Sequence, residues 1–242
     1  MVADCGAGTV LTIRTVGETG STNADLLAAA ASGADEGLWL RAERQTAGRG
    51  RLGRSWNDGA GNLFASTIVR LEEHAPPAHT LTLVAAVALA EAVESFAPGL
   101  ATIKWPNDLM IGGAKLSGIL LERSGNAVVV GFGVNLASHP ALEDRRTTSL
   151  AAQGIAIEPA MFLDRLRVSF AEAVAQWRRD GIGMIRERWE ALAHPVGTPL
   201  NVRMPDGRVE NGRFAGMGLD GALRLTTDDG RVVSIHAGDV SG

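Results

Sequence analysis

An α+β fold is predicted for this 242-residue chain, with helices packed on a mixed, largely antiparallel sheet and a small β-barrel at the C-terminal end. Three observations predict it. Between residues 101 and 136, short apolar runs alternate with tight glycine turns, and such turns join antiparallel neighbours. Pro159 opens a stretch in which Phe162, Leu166, Phe170, Val174 and Trp177 recur at helical spacing, and a second helix is expected over residues 182–192. Beyond Pro195 short strand-like runs are punctuated by Pro205-Asp206-Gly207, Asp220-Gly221 and Asp229-Gly230, which suggests the barrel. The boundary falls at about residue 194, giving one domain at 1–194 and a second at 195–242.

Taken in chain order, Leu11-Thr12-Ile13-Arg14 reads as a short strand. Thr22-Asn23-Ala24-Asp25 has the form of a capping box and opens a helix that runs through Leu26 and Leu27 to stop near Gly33. Residues 38–42 and 63–71 read as strands on either side of a glycine-rich loop. Residues 80–97 form a buried helix ended by Pro98-Gly99. A meander follows: strands at 101–105 and 109–111, a Gly112-Gly113 turn, a strand at 115–122, a Gly125-Asn126 turn, and a strand at 127–136.

Composition sets limits. With 45% hydrophobic residues the chain can bury a full core. The one cysteine, Cys5, excludes an internal disulfide and a multi-cysteine metal site and gives little support to a nucleophile. His74, His79, His139, His194 and His236 have no metal-like spacing and read as surface or loop residues. No secretion signal is visible, and the apolar stretch at 81–93, broken by Thr82 and Glu91, is too short to span a bilayer. A cytoplasmic protein is expected. A net charge of −4 argues against nucleic acid as a bulk partner.

Against that acidic background, the stretch from Glu43 to Trp56 places Arg44, Arg49, Arg51 and Arg54 among Gly48, Gly50 and Gly53. Glycine lets backbone approach a ligand, and arginine presents a planar fork of donors suited to carboxylate or phosphate. The stretch reads as an anion-binding loop. Dinucleotide and P-loop fingerprints nearly fit, but both need the glycines to open a helix, and Asn57-Asp58-Gly59-Ala60-Gly61-Asn62 is turn chemistry.

Four blocks then occur in order: Gly20-Ser21-Thr22-Asn23 with the arginine-glycine loop, Lys104-Trp105-Pro106-Asn107-Asp108, Gly113-Ala114-Lys115-Leu116-Ser117-Gly118, and Gly131-Phe132-Gly133-Val134-Asn135. Their order and spacing resemble the biotin protein ligases over residues 12–240 or so. The resemblance implies a catalytic domain like that of the class II synthetases, an SH3-like barrel, and biotin and ATP, with magnesium, as substrates. It also implies formation of biotinyl-AMP and transfer of the acyl group to a lysine of a biotin carboxyl carrier domain in a biotin-dependent carboxylase. Because the Ser21 block leaves no room for the N-terminal DNA-binding domain some members carry, a short, enzyme-only form without sequence-specific DNA binding is expected. Sheet edges in the meander are open to an acceptor or to a second copy in a homodimer. The rival readings are a lipoate ligase-type acyltransferase and a noncatalytic biotin-sensing regulator.

Residue by residue, the resemblance assigns Ser21, Thr22, Asn23 and Gln45 to a biotin pocket. Arg49, Gly50, Arg51 and Lys115 would meet the carboxylate, with Arg49 and Arg51 also meeting the phosphate. Trp56, Asn107, Asp108 and Asn135 would lie on the nucleotide side. Lys115 and Arg51 are the expected catalytic residues, since two anions must meet and fixed cations offset their repulsion. Asp108 is a candidate magnesium ligand. On the residues alone, Lys115 also reads as an ordinary lysine after a Gly-Gly hairpin, Trp56 as a core tryptophan, and Pro106-Asn107-Asp108 as a tight turn.

Overall fold

The computed structural model describes residues 12–56 and 59–241, with the backbone alone for Leu52. Cys5, the Leu11 end of the first predicted strand, and Asn57-Asp58 lie outside the described residues.

Seven strands form the larger sheet: β1 (Ile13–Thr19), β2 (Trp39–Gln45), β3 (Leu63–Arg70), β4 (Ala101–Lys104), β5 (Asp108–Ile111), β6 (Ala114–Ser124) and β7 (Ala127–Val134). Their order is β1-β2-β3-β7-β6-β5-β4. β1 and β2 run parallel because a helix, α1 (Thr22–Ala31), carries the chain back between them. All other neighbours in this sheet are antiparallel. The ladder to β2 extends β1 as far as Thr19, well past the predicted strand at 11–14. The capping box also shifts by one residue. Ser21 is the N-cap, its Oγ accepting from the Ala24 N–H at 3.4 Å, while the hydroxyl of Thr22 turns into the site.

One face of the sheet carries Leu63, Ala65, Val128, Val130 and Phe132 into the main core. There α2 (Leu81–Glu94), apolar nearly all round, lies under α3 (Pro159–Asp180) and α4 (Ile182–Leu192). Trp39, Phe132 and Phe170 interlock with ring centroids 5.6 to 5.8 Å apart. The opposite face is covered by α1 at one end, through Leu26, Leu40, Ile68 and Val129. Past α1, strands β3, β7 and β6 present this second face to the site.

After α4 come β8 (Pro199–Arg203), β9 (Val209–Met217), β10 (Leu223–Thr226), β11 (Val232–Ile235) and β12 (Asp239–Ser241). They form an antiparallel sheet in the order β11-β10-β9-β8-β12. Among the described residues no ladder joins β11 to β12, so the predicted SH3-like barrel is not formed and the sheet stays open. Closure needs edges long enough to share a common tilt and stagger, and these two have four and three residues. The open sheet instead packs on the rest of the molecule. Phe214 meets Trp189 of α4 at 6.2 Å, Met217 N–H donates to Glu190 at 2.8 Å, and Trp105 Nε1 donates to the Gly221 carbonyl at 3.1 Å. Among the described residues no helix is long and apolar enough to cross a membrane.

Candidate active site

A cavity of about 240 Å³ opens on the second face of the seven-stranded sheet. Its floor is made by glycines that face one another on adjacent strands, Gly118 of β6 opposite Gly133 of β7, beside Gly131. A methyl group at Gly131 would overlap the Asn23 amide and one at Gly133 would overlap the Trp56 ring, while one at Gly118 would lie 3.0 Å from that ring. Glycine is required here for close approach of side chains to the strands.

At the α1 end, polar groups form a buried chain. Thr22 donates to Gln45 Oε1 twice, from N–H at 2.8 Å and from Oγ1 at 3.0 Å. Its Oγ1 lies 2.7 Å from Ser66 Oγ, and Ser66 donates to Asn23 Oδ1 at 2.6 Å. The Asn23 amide nitrogen donates to Glu122 at 2.9 Å and to the Leu120 carbonyl at 3.3 Å. At this end the cavity is lined by the neutral side chains of Thr22, Asn23 and Gln45, held in fixed orientations, with the Glu122 carboxylate behind Asn23.

Cations gather at the other end. Strict alternation would put Lys115 on the opposite face from Gly118, yet both line the cavity. A bulge explains it: Leu109 pairs with Ser117 and Met110 with Lys115, leaving Leu116 as the extra residue, fully buried in the core. Lys115 Nζ donates to Asp108 Oδ1 at 2.6 Å, with side chains only 15% and 18% exposed, and lies 5.7 Å from the Trp56 ring centroid. Arg49 pairs with Glu122 at 3.1 Å. Arg51 donates to Asn107 Oδ1 at 2.8 Å, and Asn107 in turn donates to the Ile119 carbonyl at 2.6 Å. The arginine-glycine loop holds a single 3-10 turn, Arg51–Gly53, pinched by a bridge between Arg49 and Ser55. No helix opens there, in keeping with the rejection of the dinucleotide and P-loop fingerprints.

Every residue that the sequence nominates lines this one cavity: Ser21, Thr22, Asn23, Gln45, Arg49, Gly50, Arg51, Trp56, Asn107, Asp108, Lys115 and Asn135. Asn135 donates to the Thr148 carbonyl at 3.0 Å and is buried at the cavity wall. Trp56 rests on the glycine floor with its Nε1 buried and unpartnered among the described residues. Sequence reasoning missed Ser66, Glu122 and Asp239, and it placed Arg54 in the anion-binding loop without a role of its own. The glycines of β7 did carry a signal, since two glycines in an apolar strand mark a close approach. Asp239 carried none, because 185 residues separate it from its partner Arg54. Among the histidines, His194 stands in a loop, as expected, but is half-buried there, and burial, with Lys104 behind it, lowers its pKa. Burial likewise lowers Lys104, with Asp108 pulling the other way.

Residues 21–136 match the model of the biotin/lipoate A/B protein ligase family. The chain is 42% identical over 230 residues to a biotin--[acetyl-CoA-carboxylase] ligase of Paracoccus denitrificans, covering 89% of this chain and 94% of that one. It is 38% identical over 232 residues to the enzyme of the same name from Mycobacterium tuberculosis, covering 93% and 86%. A solved biotin protein ligase from Aquifex aeolicus, in complex with biotin and ATP, has the same fold at a TM-score of 0.84 and 26% identity, over 95% of this chain and 97% of that one. With identities this high over nearly the full length of both relatives, the chain belongs to the biotin protein ligase family.

Proposed function

We propose that this protein activates biotin with ATP and transfers the biotinyl group to a lysine of a biotin carboxyl carrier domain in a biotin-dependent carboxylase. The observation that carries the reading is the division of the cavity into a neutral polar end, at Thr22, Asn23 and Gln45 with Ser66 behind them, and a cationic end, at Arg49, Arg51 and Lys115. The first end suits an uncharged ureido ring and the second suits a carboxylate meeting a phosphate. A carboxylate oxygen bonds to the α-phosphorus, the bond to the bridging oxygen of the β-phosphate breaks, and pyrophosphate leaves. A lysine amine then bonds to the acyl carbon, AMP leaves, and the nitrogen gives its proton to solvent. In the first step Lys115, aimed by Asp108, stabilises the charge that develops between the two anions. Arg51 meets the phosphate, Trp56 offers its ring to the base, and Asn107 and Asn135 hold the walls.

Magnesium enters with ATP as part of the substrate. Among the described residues no group of three or more carboxylate, histidine or cysteine side chains could cage a metal, and Asp108 is engaged by Lys115. Residues 1–194 would form the catalytic unit and 195–242 an accessory sheet. Edge strand β1 offers backbone to the carrier or to a second copy, whereas β4 is bridged at Ile103 by Ala193, and the single cysteine suits the cytoplasm. Pyrophosphate release tests the reading: biotin should drive it and lipoate should not. Faster release with lipoate would replace the biotin reading with a lipoate one.

A further inference from the structure

Among the described residues three arginine side chains tie the arginine-glycine loop down past β2, two of them on the larger sheet and its turns: Arg49 on Glu122 of β6 and Arg51 on Asn107 in the β4–β5 turn. The third, Arg54, donates to Asp239 Oδ2 at 2.7 Å. Asp239 opens β12 and is registered opposite Arg203 of β8, so the C-terminal sheet fixes its backbone. Both Arg54 and Asp239 line the same cavity as Lys115.

Their side chains are 46% and 40% exposed, and an exposed ion pair adds little to overall stability. Its leverage is local. Arg54 closes the turn that carries Arg51: its N–H donates to the Arg51 carbonyl at 3.3 Å and its carbonyl accepts from the Gly50 N–H at 2.7 Å. Holding Arg54 holds the turn that aims Arg51. Burial pushes the Asp239 carboxyl up, but the hydrogen bond and charge of Arg54, with Arg51 and Lys104 behind, outweigh it and hold the group below the usual carboxylate range. Asp239 is therefore charged at neutral pH.

We propose that Asp239 is a positioning residue, through which the C-terminal sheet latches the arginine-glycine loop over the cavity and retains the acyl adenylate until the carrier arrives. The retention half of this proposal rests on the ligase reading above. The test uses Asp239→Ala, Asp239→Asn and the reversed pair Arg54→Asp with Asp239→Arg, with two readouts. Amide hydrogen exchange over residues 46–56 of the protein alone reports the latch without any ligand, and release of preformed biotinyl-AMP reports retention. Both should quicken about fivefold in the single variants, the factor that roughly 1 kcal/mol from one exposed pair supplies, and the reversed pair should restore both. Asp239→Asn keeps the side-chain shape and carries the test if Asp239→Ala is poorly folded. Unchanged exchange and unchanged release would overturn the latch. So would faster exchange that the reversed pair does not restore, since that marks a merely structural contact. Failure of the wild-type protein to form adenylate would overturn the ligase reading, and the exchange data would still decide whether the latch exists.

Discussion

Lys115 brings its charge into the cavity already paired with Asp108 at 2.6 Å, a contact made between two largely buried side chains. The pairing sharpens the expected effect of Lys115→Ala, because the variant leaves a largely buried carboxylate facing two substrate anions. Losing one fixed donor to developing charge costs about 2.7 to 4 kcal/mol, so adenylation should slow at least about a hundredfold, and pyrophosphate exchange measures it. Asp108→Asn in the Lys115→Ala background should recover part of the loss. A normal rate in Lys115→Ala alone would make the lysine structural. At the other end of the cavity, Gly131→Ala would press a methyl group into the Asn23 amide. Overpacking of this kind costs about 1 to 3 kcal/mol, and calorimetric titration should show biotin binding weakened by the corresponding factor. An unchanged affinity would mean that Asn23 swings aside. Lys115 was legible in the sequence as a lysine after a Gly-Gly turn, but the bulge that turns it toward Gly118 was not, since register is set by the partner strand.

The arginine-glycine loop is the element in which binding and retention separate. Its turn places Arg51 on Asn107, and a phosphate would draw the same guanidinium into charge-assisted hydrogen bonds that order the loop. Arg51→Gly removes those bonds and adds backbone freedom, so it should release the adenylate about tenfold to a hundredfold faster, as hydrogen bonds to charge worth about 1.5 to 3 kcal/mol imply. Escaped adenylate acylates any accessible amine. The variant should therefore biotinylate albumin mixed with it, and hydroxylamine should suppress the labelling by trapping free adenylate, whereas Lys115→Ala should label nothing. Equal bystander labelling by wild type and Arg51→Gly, with adenylate formed in both, would remove the loop from the retention step. Elements with strong local signals were the ones the sequence disclosed: the Gly112-Gly113 and Gly125-Asn126 turns, the Pro159 helix start, and the apolar periodicity of α3. β1 was underestimated because its length comes from a ladder with β2, and a strand whose exposed residues follow no simple alternation does not announce such a partner. The predicted barrel failed for a related reason. Short runs and Asp-Gly turns specify hairpins, but closure depends on whether the two edge strands meet, and here β12 pairs with β8 while no ladder among the described residues joins it to β11.

At the scale of the whole molecule, the junction between α4 and the C-terminal sheet joins two parts that share one hydrophobic core. Ala193 bridges to Ile103 of β4, and the next residue, His194, is half-buried beside Lys104. Burial disfavours the imidazolium and the lysine charge adds to the effect, so the folded-state pKa lies below the ordinary 6.5. Its sign fixes the pH dependence. When the folded pKa is depressed, the unfolded chain takes up the proton first, and stability falls as pH drops through 6.5 toward the folded value, then levels off below it. Asp220 and Asp239 also have depressed pKa values, but they lose their contribution only as pH falls below about the ordinary 3.8. Between neutrality and mild acid the His194 effect is thus separated from those of the two carboxylates. Thermal unfolding from pH 7.5 down to 5.5 should show a falling midpoint in the wild-type protein and a flatter profile in His194→Gln, with the two curves converging in slope at lower pH. If the variant falls as steeply as the wild type, His194 is not the group that couples mild acid to the junction, and protonation elsewhere in the fold must account for the loss.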